Sequence, residues 1–404
     1  MPQLNTLLSG PIYVNLATQS PGEEVGAADL SKAQLSIPWA GWTKGAGVGA
    51  TATFTLRTNN GRTEIKGLDV SGDTFRIRGD LTIGSNGLSS ANFKEVRLNK
   101  GDSATVRIDR VGGGYKIDIA GGSFDARAMI KHLADSYTKS GQSSGNPYLS
   151  IHAALDHATG FNGEVLSNVD LSYEGVAGSK TETLSVEATT ASGARFTLSS
   201  ATVTGPKTVT ATCVDAGAIL RFFDLYSRMK GGNLHLSLAA QDDGPLRGTL
   251  EIKNFTIVQD PSLAQLVSAR PVQGGRSLNE AVDKQIDVSS VVFNQAFSRI
   301  NIKDGYVRLD RGVLRGPSIG TTFQGTLLDP DGNMSITGTF MPAYGLNSIL
   351  GSLPLVGQIL GNGRERGLIG ITYKMEGPAK NPQVRVNPIS VIAPGVFRSI
   401  FEFR

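Results

Sequence analysis

The sequence predicts a mainly β protein built of antiparallel hairpins with a few short helices. Three observations carry that expectation. Glycine is 50 of 404 residues, far above the roughly 7% of average usage, which is too much for a mainly helical chain. At 39% hydrophobic residues the chain is too apolar for disorder. Apolar and polar residues alternate at period two along most of the chain, the pattern of strands with one apolar face.

Val48, Ala50, Ala52, Phe54 and Leu56 open the series. Ala104, Val106 and Ile108 follow, then Tyr115, Ile117 and Ile119 beyond the Gly112-Gly113-Gly114 turn. Further runs are Leu149 to Leu155, Val165 to Tyr173, Phe196 to Leu198, Leu234 to Ala240, Leu250 with Ile252, and Ile371 to Met375. Asn60-Gly61, Ser192-Gly193, Asp304-Gly305 and Asp331-Gly332 are short glycine-containing connections of the hairpin kind. Helical spacing predicts short helices over 124–137 and 216–230, the latter ending at Gly231-Gly232. Asp125 and Asp215 each precede an apolar helical face, where a carboxylate caps free N–H groups and complements the helix dipole. Their offset of 90 residues suggests a degenerate repeat of that length. Residues 1–270 are expected to form this repetitive region, and 271–404 a distinct C-terminal one. A sheet with one apolar face must cover it. Either a second sheet lies across it, or the sheet curves into a trough that holds something else; small positions such as Ala50, Ala52, Ala153 and Ala240 lean toward the trough.

Charge excludes some functions. Lys and Arg number 39 against 35 Asp and Glu, a net +4, and charged residues make up 18%, against roughly 25% in ordinary globular proteins. No electrostatically driven nucleic-acid binder is expected. The surplus lies beyond Met341, where seven basic residues face three acidic ones. One cysteine, Cys213, allows no internal disulfide or cysteine-based zinc cluster, and four histidines leave little for a metal site. Residues 1–16 lack the basic and apolar regions of a secretory signal, and no run of 18 apolar residues occurs.

Several motifs mimic catalytic ones. Gly45 to Ala50 spells a dinucleotide fingerprint, but an alternating strand follows where that site needs a helix. Gly141-Gln142-Ser143-Ser144-Gly145 matches a nucleophile elbow yet sits in a polar linker. Asp329 to Asn333 resembles the start of a calcium loop, but Phe340 stands where the bidentate Glu belongs. His152 and His157 lack a third ligand, and Asp242-Asp243 precedes Gly244-Pro245 as a turn. No enzyme chemistry, metal or cofactor is expected.

The C-terminal segment is different. Leu346, Ile349, Leu350 and Leu353 recur at helical spacing, and Leu355, Val356, Ile359 and Leu360 continue it, predicting apolar helices over 343–361. Val396, Phe397, Ile400, Phe401 and Phe403, broken by Arg398 and Glu402, form an amphipathic end over 396–403. A helix that short needs a surface to dock on, either the domain or a membrane.

Here the chain resembles a known family. Pro342 to Gly351, Leu353-Pro354-Leu355-Val356-Gly357, Gly367 to Tyr373, Gly377-Pro378 and Asn387-Pro388 through Pro394-Gly395 to Phe403 are similar to the C-terminal region of the AsmA-like family. Phe124-Asp125-Ala126-Arg127, Leu220 to Gly232, Ile302 to Gly305 and Leu314 to Pro317 extend the resemblance to about residues 120–404. It implies a long, curved, antiparallel β trough (β-taco-like) in the periplasm, anchored in the inner membrane by an N-terminal helix that this chain does not show. It implies a non-enzymatic role, passing phospholipids toward the outer membrane, with acyl chains in the trough and a membrane or outer-membrane partner at the C-terminal end. Leu236, Leu238, Leu250 and Ile252 are the expected trough positions. An assembly or scaffold module for outer-membrane proteins is the alternative.

Overall fold

The structure, a computed structural model, describes residues 8–37, 40–59, 61–131, 147–176, 182–202, 206–240, 244–270, 277–281, 286–342, 368–387 and 390–392. The chain forms two compact units. The first comprises Met1–Tyr137, Gly141–Thr202 and Phe222–Asp224, and the second Thr138–Ser140, Val203–Arg221 and Leu225–Arg404. The boundary between the two units falls near residue 203, and in the second unit the strands on either side of residues 259–289 pair in register from Leu246↔Ile302 to Val258↔Ser290.

In the first unit the strands are β1 (Leu8–Ser9), β2 (Tyr13–Ser20), β3 (Glu23–Asp29), β4 (Gln34–Ile37), β5 (Trp42–Lys44), β6 (Ala50–Asn59), β7 (Arg62–Gly72), β8 (Arg76–Gly84), β9 (Gly87–Arg97), β10 (Ser103–Val111), β11 (Gly114–Asp125), β12 (Tyr148–Thr159), β13 (Val165–Val176), β14 (Thr183–Thr189) and β15 (Arg195–Thr202). β1, β4 and β5 make a small separate sheet. The others pair neighbour to neighbour from β2 through β3 and β6 to β15. Among the described residues β2 pairs only with β3, so the sheet has a free edge there.

One pair departs from the expected antiparallel order. β11 and β12 run parallel, Tyr115↔Leu149 through Asp125↔Thr159. Parallel neighbours need a crossover, and the chain leaving β11 begins it with helix at 127–131. The helix expected from residue 124 starts later, because Phe124 and Asp125 still belong to β11; residues 132–137 lie outside the described ones.

The second unit contains β16 (Lys207–Cys213), β17 (Met229–Ala240), β18 (Leu246–Val258), α2 (Pro261–Ser268), α3 (Leu278–Ala281), β19 (Ser290–Lys303), β20 (Tyr306–Arg315), β21 (Ile319–Leu328), β22 (Asn333–Pro342), β23 (Leu368–Pro378), β24 (Gln383–Val386) and β25 (Ser390–Ile392); α1 (Ala216–Phe222) follows β16. β16 to β24 pair antiparallel in chain order, and β25 joins β23. α1 is shorter than the helix expected over 216–230. Asp224 takes a left-handed φ of 56°, which an α-helix cannot absorb, and Met229 and Lys230 already belong to β17. α2 was not foreseen, although Leu263, Leu266 and Val267 stand at helical spacing behind Asp260-Pro261.

The expected architecture stands: the chain is mainly β, with long open sheets of one apolar face and few short helices. Turn chemistry sets its registers. Asp304 and Gly305 have φ of 52° and 78°, the pair of positive values a two-residue hairpin turn requires, and they join β19 to β20.

Candidate functional site

Strand register places the alternating residues. In the first unit Ile108, Ile117, Ile151, Tyr173 and Leu184 lie side by side across five strands. Val106, Ile119, Ala153, Leu171, Val186 and Leu198 form the next apolar row. Between them, on the opposite face, runs Asn92–Arg107–Asp118–His152–Ser172–Ser185, polar at every strand. A third apolar row runs Val70–Ile77–Val96–Ala104–Gly121–Leu155. One side chain in two thus points to one face, and that face is apolar over consecutive strands.

The burial of this face is incomplete. Ile108, Ile117, Ile119, Ile151, Leu171, Leu184, Val186 and Leu198 are all half-buried, although each sits among apolar neighbours. Gly121 sits where a Cβ would collide with the Ser103 carbonyl oxygen, so the ladder comes closer there than any side chain allows. The β2 end is better covered. Leu35 and Trp42, from β4 and β5, pack on Ala28, Ala50, Ala52 and Phe75, with the Trp42 and Phe75 rings edge to face at 4.9 Å. The Lys44 ammonium is buried beneath them and donates to the carbonyls of Leu30 at 2.6 Å and Ala33 at 2.7 Å. Burial pulls its pKa down.

The second unit repeats the pattern with a tighter seal. One row runs Val209–Leu238–Gly248–Ile300–Leu309–Gly325–Ile336–Met375–Val384 across nine strands. A second runs Cys213–Leu234–Ile252–Ala296–Leu314–Thr321–Phe340–Ile371. Around the second row Leu263, Leu266 and Val267 of α2 join Phe255, Phe293, Ile319 and Phe340 in one buried cluster. Phe255 and Phe293 stack at 5.4 Å. Asp260 fixes the lid, because its carboxylate accepts from the Leu263 N–H at 3.0 Å and from the Tyr226 hydroxyl at 2.7 Å. Burial, then the Asp260 charge, push the Tyr226 pKa upward.

The expected trough positions all lie on this face. Leu236 and Leu250 are direct cross-strand partners and half-buried. Leu238 and Ile252 are 4% and 5% exposed, which places them in the packed clusters and not on accessible wall. Asp215 accepts from the Ala218 N–H at 3.2 Å, three residues into α1. Asp125 behaves differently. It accepts from the Arg127 N–H at 3.1 Å and pairs with the Arg127 guanidinium at 2.6 Å, while the first helical carbonyl is that of Ala126. Leu346, Ile349, Leu350, Leu353, Val396, Phe397, Ile400, Phe401 and Phe403 lie outside the described residues.

The motifs resolve as turns and ladder pairs. Residues 45–49 link β5 to β6, and the Asp329 carboxylate accepts from Asp331 and Asn333 N–H groups in the β21–β22 turn. His152 faces Asp170 at 3.2 Å and His157 faces Ser167 at 3.3 Å. Asp242-Asp243 and the Gly141 to Gly145 stretch lie outside the described residues. Carboxylates are engaged by neighbouring cations: Asp69 with Arg76 at 2.7 Å and Glu187 with Arg195 at 2.6 Å. Arg76 holds the Asp69 pKa below the usual carboxylate range, as Arg127 does for Asp125. Among the described residues no three His, Cys, Asp or Glu converge as metal ligands, and no helix is long and apolar enough to cross a membrane. The first unit's apolar rows were legible as alternation, but their alignment depends on the parallel β11–β12 pair, which alternation does not reveal. No family profile, curated protein or solved structure matches the chain.

Proposed function

We propose that the chain is a non-enzymatic envelope protein of the AsmA-like kind, whose apolar sheet faces hold phospholipid acyl chains in transit between the inner and outer membranes. The single supporting observation is the set of apolar rows, half-buried at most positions, that continue across β10 to β15 in register. Accessible apolar surface this continuous marks an interaction site. An acyl chain laid along it gains about 0.8 kcal/mol for each methylene it buries, with no base, nucleophile or metal required. The polar row on the opposite face keeps that side wetted. In this role the chain works in the periplasm, and its apolar C-terminal segment meets a membrane or an outer-membrane partner.

A scaffold role in outer-membrane protein assembly has one observation in its favour. Every residue of β2 is exposed, with Tyr13, Val14 and Leu16 among them, and a free edge of this kind pairs with incoming strands.

Native mass spectrometry of the purified chain distinguishes the two. Bound phospholipid, released on raising the collision energy, is the expected result. A lipid-free chain that also fails to take up fluorescent phospholipid from micelles removes the lipid-carrier function.

A further inference from the structure

The face opposite the apolar one carries a second site. Across β20 to β24 an open recess of about 860 Å³ is lined by Arg311, Thr322, Thr339, Thr372, Lys374 and Arg385, among others. Its centre is a row of threonines in register, Thr322↔Thr339↔Thr372, extended by Asn387, whose side-chain amide donates to the Thr372 hydroxyl at 3.1 Å. The adjacent row on the same face is Gln324–Thr337–Lys374–Arg385. Threonine alone suits any strand, so the threonines indicate little without the cations.

The cations are the anomaly. Lys374 and Arg385 are direct cross-strand partners, and like charges in that position destabilise a sheet. Several cations elsewhere on the polar faces have carboxylate neighbours, as in Arg76–Asp69, Arg195–Glu187 and Lys253–Glu251. Here Lys374 has Glu376 at 2.5 Å, whereas neither Arg311 nor Arg385 has a carboxylate within ion-pair distance among the described residues. Arg311 reaches the recess from a bulge: its φ is 51° and the β20–β21 register slips between Leu309 and Gly312. A bulge re-aims a side chain at a cost in ladder pairing.

We propose that this recess binds a phosphate ester carried on a hydroxyl-rich body. The Arg385 guanidinium, with the Lys374 ammonium beside it, matches the oxygens of a phosphate, and Arg311 lines the far side of the recess, four strands away. The threonine hydroxyls and the Asn387 amide offer donors and acceptors for hydroxyls. The recess has room for more than a bare ion. The site lies on the face away from the apolar rows and does not depend on acyl-chain binding there.

The source of the phosphate ester is either a free metabolite or a lipid headgroup, and two arms separate them. Isothermal titration of the full chain with glycerol 3-phosphate, with glycerol as the uncharged control, tests the soluble form; flotation with phosphatidylglycerol against phosphatidylcholine vesicles tests the membrane-borne form. The expected result is saturable binding in at least one arm that weakens about tenfold, roughly 1.4 kcal/mol, in Arg385→Gln and by a smaller factor in Arg311→Gln. Arg385→Lys should retain part of it, and Arg195→Gln, on the first unit, should leave it intact. Circular dichroism checks that each variant is folded, which these exposed positions favour. Absence of binding in both arms overturns the proposal, as does binding that Arg385→Gln and Arg311→Gln leave unchanged.

Discussion

The middle of the first unit's sheet and the α2 end of the second unit's sheet share one strand pattern but finish it differently. Both present apolar rows in register. Against the second unit's row an eight-residue helix lays Leu263, Leu266 and Val267, and the residues beneath it, Phe293 and Phe340, are fully sealed at 0% exposure. Across β10 to β15 the aliphatic side chains Ile108, Ile117, Ile151 and Leu171 stay half-buried. Aromatic rings with a helical lid make a core. Aliphatic side chains left partly accessible make an apolar wall.

The comparison predicts a graded set of effects. Phe293→Ala should cost the most, about 3–5 kcal/mol, because it opens a cavity in a sealed cluster; urea denaturation followed by circular dichroism measures it. Tyr226→Phe should cost about 1–3 kcal/mol, since it leaves the buried Asp260 carboxylate short of its 2.7 Å donor, and a silent variant would show that the lid does not depend on that bond. Asp215→Ala should cost about 0.5–2 kcal/mol, whereas Asp215→Asn, which keeps an acceptor at the start of α1, should be nearly neutral. Ile117→Ala, on the partly accessible wall, should cost less, about 1–2 kcal/mol, because part of the side chain is already in water; a loss equal to that of Phe293→Ala would mean the wall is a core.

The smallest effect is a pH dependence. Arg270, then the Ser277 N–H, hold the Glu280 pKa down to about 2 from 4.5. A depressed carboxylate stabilises the fold fully above its unfolded value and loses that contribution as pH falls through the folded one. Stability of the wild type should therefore drop relative to Glu280→Gln between about pH 4.5 and 2, by a small amount because the pair is exposed.

Much of this was visible in the residues themselves. Alternation at Ala104 to Ile108, Tyr115 to Ile119 and Leu149 to Leu155 located β10, β11 and β12 with the correct face, because side-chain period depends on the strand alone. It did not reveal that β11 and β12 run parallel, since strand direction is a property of the connection. Leu236 and Leu250 stay half-buried, yet Leu238 and Ile252, with the same alternation, are buried by neighbours that only the folded register brings together. α2 is hard to read from sequence because eight residues give barely two turns of periodicity. The Lys374–Arg385 pair is 11 residues apart in sequence and acquires meaning only from the β23–β24 register.

The central claim, that the apolar rows of the first unit face lipid and the rows between them do not, is tested most directly by photo-crosslinking at four consecutive positions of β11. A photoreactive residue placed in turn at Lys116, Ile117, Asp118 and Ile119, in cells or with phospholipid vesicles, samples both faces of one strand within four residues. The account predicts phospholipid adducts at Ile117 and Ile119 and none at Lys116 and Asp118, alternating with the side chains. Adducts of equal yield at all four positions, or at none, would contradict it.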